Sequence, residues 1–206
     1  MTATSTEAGA LVPLTDAPAP IPPRPRVLLV GTMFAAGAAT AAILGMVALY
    51  TQVRAQLVSQ GETWLPEGTV LELTPGNMAF VTLLMSAVTV AWVVYALRND
   101  DRTHAYFALA LTLLFGVAFT VDTAYLWQQL GIGVADSTQA VLIYSITGAH
   151  LAMVVAGLLY LLVMGFRALG GQLTGRAAEG MQAAVLFWFT AIGVYAVVWY
   201  AIYVTK

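Results

Sequence analysis

Beyond residue 26 the sequence consists of five long apolar runs, approximately residues 27–53, 76–97, 103–130, 139–166 and 180–204, joined by short polar breaks. A backbone placed in hydrocarbon must satisfy its own N–H and C=O groups, and only a helix does so within a single segment. Each run contains at least 22 residues, and about 20 residues at 1.5 Å rise cross the ~30 Å hydrocarbon core. The chain is 60% apolar and 9% charged, against roughly 45–50% and 25% for a soluble domain. Its 206 residues can supply five spans or one soluble domain of ordinary size, not both. The expected fold is an all-α membrane protein, a bundle of five transmembrane helices over residues 27–206.

Residues 1–26 hold six of the eight prolines among alanine, threonine and small polar residues. Such a composition cannot build a packed core, and the segment is expected to be a disordered cytoplasmic tail. A secretory signal would place a shorter apolar stretch after a basic cluster near the start, so the first run is expected to anchor the chain and stay.

The charges order the loops. Arg24 and Arg26 precede the first run, Arg98 and Arg102 separate the second from the third, and Arg167 and Arg176 separate the fourth from the fifth; Arg54 and Lys206 lie at the other end. The positive-inside bias therefore predicts a cytoplasmic N-terminus and an external C-terminus, with Glu62, Glu67 and Glu72 in the external loop. Trp64, Trp127 and Trp199, with Tyr50, Tyr125, Tyr200 and Tyr203, fall near that external end, where amphipathic rings prefer the headgroup level.

Missing residue types narrow the chemistry. Without cysteine there are no disulfides, thiolate metal sites, iron–sulfur clusters, paired-cysteine copper sites or cysteine nucleophiles. Only His104 and His150 are present, and only His150 lies deep in an apolar run, so the chain lacks the facing histidines of a membrane b-type haem. No cofactor is expected in this chain. Eight basic residues and a net charge of −2 offer no field for gripping nucleic acid.

Within the runs a few residues stand out. Gly37, Ala41 and Gly45 recur every fourth position, the spacing at which small residues let membrane helices approach closely. Asp122 is the costliest residue to bury, at roughly 2.5–3.5 kcal/mol on insertion scales. Counted from the external ends, Asp122 and His150 fall at depths of about 12 and 16 Å, so the two can share a level and interact directly or through water. The plainer reading is an acid satisfied by Thr120, Thr123 or a backbone carbonyl, and a histidine that hydrogen-bonds in the core rather than ligating metal; the sharper reading is a proton relay.

The order of motifs is more specific. Asp101–His104, the run Leu113-Leu114-Phe115-Gly116-Val117-Ala118-Phe119, then Tyr144-Ser145-Ile146-Thr147-Gly148-Ala149-His150, and finally Phe187-Trp188-Phe189 resemble subunit III of the haem–copper cytochrome c oxidases along nearly all of residues 27–206. Thr147, Gly148, His150 and Val154 match the family's fourth-helix motif in its five-helix form, and Trp188 matches the tryptophan of its last helix. The family's polar signature is thinner here: Met153 stands for a second histidine, Gln182 for a glutamate, Thr123 and Leu126 for a glutamine and a glutamate, and no acid lies between Val27 and Arg54.

The resemblance implies a non-catalytic accessory subunit in an integral plasma (inner) membrane, bacterial in type. It would pack beside catalytic subunit I and with subunit II, hold membrane lipid in a cleft and support proton uptake, with haem and copper in the partner chains. Asp122, His150, Gln182 and Trp188 are then the candidate buried or interface residues. Two other readings are open to the same residues: an accessory subunit of a nitric oxide reductase, and a standalone small membrane carrier working through Asp122 and His150.

Overall fold

A computed structural model describes residues 26–69, 71–171 and 179–205. The proline-rich segment, apart from Arg26, lies outside the described residues, as does Arg176. The described chain forms α1 (Val27–Ser59), α2 (Leu73–Arg98), α3 (Arg102–Gln129), α4 (Thr138–Leu169) and α5 (Glu179–Trp199), the last running into a π-helical turn, Tyr200–Val204. All five are long and apolar enough to cross a membrane.

The helices overrun the apolar runs at several ends. Helix α1 continues six residues past Val53 because Arg54–Ser59 contains no breaker, and its 33 residues span about 50 Å, more than the ~30 Å hydrocarbon core. Helix α2 begins at Leu73, before Pro75, which occupies the first turn where a missing N–H leaves no bond unmade.

Side chains set the helix starts. The Asp101 side chain accepts from the His104 backbone N–H at 3.1 Å, and its other oxygen lies 2.6 Å from His104 Nδ1. That backbone bond, with the imidazole beside it, holds the Asp101 carboxyl below its ordinary range. Ser137 caps α4 by accepting from the Ala140 N–H. At the start of α1 the acceptor is distant in sequence: Leu29 N–H donates to Glu179 Oε1 at 3.1 Å, so an acid in the first turn of α5 satisfies a donor of α1.

Helix α5 lies at the centre. It packs against α1, α2 and α4, while α3 lies outside it and bridges α2 and α4. Half of the apolar stretch of α5 is buried, 50% against 17% for α1. Trp188 shows how closely the helices meet: a Cβ on Gly116 of α3 would lie 2.8 Å from its ring and would also strike Leu158, and one on Gly157 of α4 would lie 2.9 Å from the same ring. By contrast, nothing lies within 4 Å of a Cβ built on Gly37 or Gly45, and both glycines, with Ala41, are exposed. The small-residue stripe is thus not a seam between helices of this chain, because α1 turns Thr32, Ala36, Ile43, Val47 and Tyr50 inward instead.

The aromatic residues grouped at one end are divided in the fold. Tyr125 and Tyr200 are exposed, but Tyr50, Trp64 and Tyr203 are buried. Trp64 Nε1 donates to the Tyr50 hydroxyl at 3.0 Å, with the rings edge to face at 4.9 Å, so the loop after α1 folds back onto it. Tyr203 lies across Gly76. These rings are drawn inward because each finds a polar or glycine partner on a neighbouring element, which the headgroup region does not offer.

Replacing Gly116 by Ala is expected to destabilise the chain by about 1–3 kcal/mol through overpacking, whereas Gly37→Ala meets no neighbour and leaves the isolated chain at least as stable, by up to about 1 kcal/mol from helix propensity. Thermal unfolding of both variants in detergent measures the difference.

Candidate functional site

The polar interior follows one face of α5. Residues 188, 191, 195, 199 and 203 recur at spacings of three and four, which place them on one stripe of a helix. Trp188, Ala191 and Tyr195 on that stripe each meet a polar or aromatic partner from another helix.

At the first level Trp188, fully buried, donates Nε1–H to Ser86 Oγ of α2 at 3.0 Å. Ser86 donates its own hydroxyl to the Leu83 carbonyl at 2.6 Å, so the serine is both acceptor and donor. Nearby, Thr112 of α3 donates to Thr89 of α2 at 2.8 Å. In hydrocarbon such pairs replace the water each group would otherwise keep.

At the second level lies His150, buried on α4. Its Nε2 is 2.9 Å from the Ala191 carbonyl; a carbonyl only accepts, so the ring carries its proton on Nε2. The imidazole packs against Tyr195 at 5.0 Å and edge-on to Phe119 at 5.5 Å, and Phe119 meets Tyr195 edge to face at 4.9 Å. His150 is a structural donor locked between α4 and α5 by this cluster.

Asp122 adjoins the cluster without bonding to His150. It lies one turn of α3 beyond Phe119, a member of that cluster. The local partners expected from sequence are taken: Thr120 and Thr123 donate to the carbonyls of Gly116 and Phe119. Asp122 Oδ2 is shielded from solvent and has no hydrogen-bond partner, so the reading of a locally satisfied acid is corrected. Both hydroxyls bond the i−4 carbonyls of their own helix rather than the acid.

Gln182 is exposed rather than buried, because it sits in the first turn of α5 where α1 and α2 leave an open groove. Sequence reasoning missed Tyr195, Ser86 and Glu179. Tyr195 and Ser86 carry the signal of polar atoms inside apolar runs, while Glu179 could be paired with Leu29 only from the fold.

The donor set for a metal or haem is thin. His104 lies at an exposed turn beside Asp101, His150 is committed to Ala191, and no group of three or more His, Cys, Asp or Glu that could hold a metal occurs among the described residues. These residues do not fit haem or copper.

Residues 32–206 match the cytochrome c oxidase subunit III family. Among curated relatives, the chain is 34% identical over 137 residues to a probable cytochrome c oxidase subunit 3 of Rickettsia conorii, covering 64% of this chain and 48% of the relative. It is 30% identical over 161 residues to cytochrome c oxidase subunit 3 of Xenopus laevis, covering 77% and 60%, and 29% identical over 151 residues to that of Drosophila yakuba, covering 72% and 56%. The chain spans about half the length of the curated relatives it matches first.

Two outcomes follow from the polar interior. A double-mutant cycle on Trp188→Phe and Ser86→Ala is expected to give a coupling of about 0.5–1.5 kcal/mol, the range for hydrogen bonds between membrane helices. Asp122→Leu removes an oxygen buried without a partner and is expected to raise stability by about 1–3 kcal/mol. Unfolding in detergent reads both.

Proposed function

The chain belongs to the cytochrome c oxidase subunit III family, and from that premise we propose that it is a non-catalytic accessory subunit of a haem–copper cytochrome c oxidase in an aerobic respiratory chain. It packs beside catalytic subunit I in a complex with subunit II, and its role is to stabilise the catalytic subunit. Haem and copper belong to those partner chains. The observation that carries this reading is the family match across nearly the whole five-helix bundle, on a chain whose own donors do not suit either cofactor.

The bundle is built for such a role. Most buried polar groups of the helices pair within the bundle, while α1 leaves Gly37, Ala41 and Gly45 exposed along one side. That side is where a partner helix approaches closely, since small residues let two backbones meet in lipid. Support for proton uptake falls to Asp122, the one carboxylate in the interior of the described spans. The N-terminus is on the cytoplasmic side and the C-terminus outside, by the bias of Arg26, Arg98, Arg102 and Arg167 to one end. The membrane is the plasma (inner) membrane of a bacterium, and residues 27–206 form one transmembrane domain with residues 1–26 as its cytoplasmic tail.

Purification of the tagged chain from its own membranes in mild detergent tests this. Co-eluting a-type haem, copper and oxygen consumption are expected. Haem b with non-haem iron would instead point to a nitric oxide reductase, and a bundle eluting alone would overturn both. Gly37→Leu with Gly45→Leu is expected to abolish co-elution of the haem while the purified chain keeps its unfolding temperature.

A further inference from the structure

Helix α3 has a second stripe, beside the face it buries. Phe115, Ala118, Asp122, Tyr125 and Gln129 recur at spacings of three and four, which sets them in one line along a helix. Ala118 and Tyr125 are exposed, and Phe115, Asp122 and Gln129 are partly so. The buried face runs instead through Ala108, Thr112, Phe119 and Thr123, toward α2 and α4. The line is apolar at Phe115 and Ala118 and polar from Asp122 onward. Gln129 Nε2 donates to the Tyr125 hydroxyl, which leaves that hydroxyl's own proton free for another acceptor.

Asp122 is the residue of this line that lipid cannot serve. Its Oδ2 finds no hydrogen-bond partner in the chain, and a half-turn about χ2 exchanges the two oxygens, so a donor arriving from outside can reach either. The carboxylate lies seven residues, about 10 Å, inside Gln129, the last residue of α3. One methylene cannot carry it out to the headgroups as the long stems of lysine and arginine do, and acyl chains offer no donor. A second copy of this chain meeting the stripe about a twofold axis would set carboxylate beside carboxylate. Ionisable groups within membrane spans pair with one another instead. The partner is a different one from that of Gly37, Ala41 and Gly45: α1 packs on α5 and α4, whereas α3 packs on α2 and α4, so the two stripes open on different sides of the bundle.

We propose that this stripe of α3 docks a membrane span of a partner chain, with a basic side chain of that span, histidine, lysine or arginine, set against Asp122. A basic side chain supplies both the N–H donors and the opposite charge that the carboxylate lacks. Ala118, one turn away, lets the arriving backbone come close, and the Tyr125 hydroxyl offers a donor at the next turn. The proposal rests on the reading of this chain as a subunit of a membrane complex and deepens it: a carboxyl with a proton-linked role serves another chain only by touching it.

The test places a photoreactive residue at Ala118, and as a control at the exposed Leu159 of α4, in the complex purified from its own membranes. The Ala118 probe is expected to join one membrane span of a co-purifying subunit, captured within about two turns of a histidine, lysine or arginine, the reach set by the spacing from Ala118 to Asp122; the Leu159 probe is expected to join lipid. Asp122→Leu is expected to lower recovery of the captured subunit about tenfold, because its basic group is left buried and unpaired. The same substitution leaves the isolated chain no less stable, so unfolding of the chain does not account for that loss. Lipid adducts alone at Ala118, a captured span without a basic residue at that level, or full recovery of the subunit with Asp122→Leu overturns the proposal. Each of those results, obtained on a complex that still carries haem, leaves the subunit reading in place; a chain that elutes alone overturns both.

Discussion

The bundle is fastened at Trp188. Its indole lies against two glycines, Gly116 of α3 and Gly157 of α4, where no Cβ fits, and its N–H reaches Ser86 of α2. One side chain of α5 thereby fixes three other helices at once, by contact on two sides and by a directed bond on the third. Lipid supplies no hydrophobic force between helices, because acyl chains are as apolar as leucine. Close packing and satisfied polar groups must supply the cohesion, and Trp188 combines both. The largest fully buried side chain of the protein therefore stands opposite glycines rather than opposite other large residues.

The remaining polar groups extend the same logic toward the far end of α5. Trp188 to Ser86, His150 to the Ala191 carbonyl and Trp199 to Asn77 each join α5 to a different segment or level. None needs water. The Phe119–His150–Tyr195 cluster packs around the second of these bonds with rings at 4.9–5.5 Å. Asp122 breaks the pattern, with a shielded oxygen that no neighbour serves. An ionisable group inside a membrane span without a structural bond marks a functional candidate, and the proposed function assigns its proton-linked part to Asp122 on that ground.

Much of this was legible in the sequence, and for a physical reason. Hydrocarbon leaves the backbone a single option per span, so 22 or more apolar residues determine a helix without reference to anything else. The same reasoning failed where a side chain had two competing environments. Tyr50, Trp64 and Tyr203 suit the headgroup region by composition, yet in the fold they turn to an indole, a hydroxyl and a glycine. Thr120 and Thr123 were near enough in sequence to serve Asp122, but their own helix takes their protons first. The Leu29 bond to Glu179 spans 150 residues, and no local rule reaches that far. The family resemblance named Trp188 from its motif; the glycines that receive it become meaningful only when three helices are assembled.

The contrast between α5 and α1 bears on why such a chain exists. A helix buried over half of its apolar stretch is a core element, and one buried over 17% is a boundary element. In water the exposed side of α1 would be an aggregation liability; in a bilayer it costs nothing, because lipid covers apolar surface as well as protein does. Hydrophobicity therefore does not explain the small residues there. Leucine would face lipid equally well and form helix more readily than glycine, so Gly37 and Gly45 lower the helix propensity of α1 with no return inside this chain. Under the proposed function the return lies outside it, in a partner helix that comes closer than a lipid chain requires. A bundle that pairs all but a few of its buried polar groups internally, shows no group of donors for a metal among the described residues, and keeps one helix thin on its outer side suits the proposed role as a brace for a neighbouring chain.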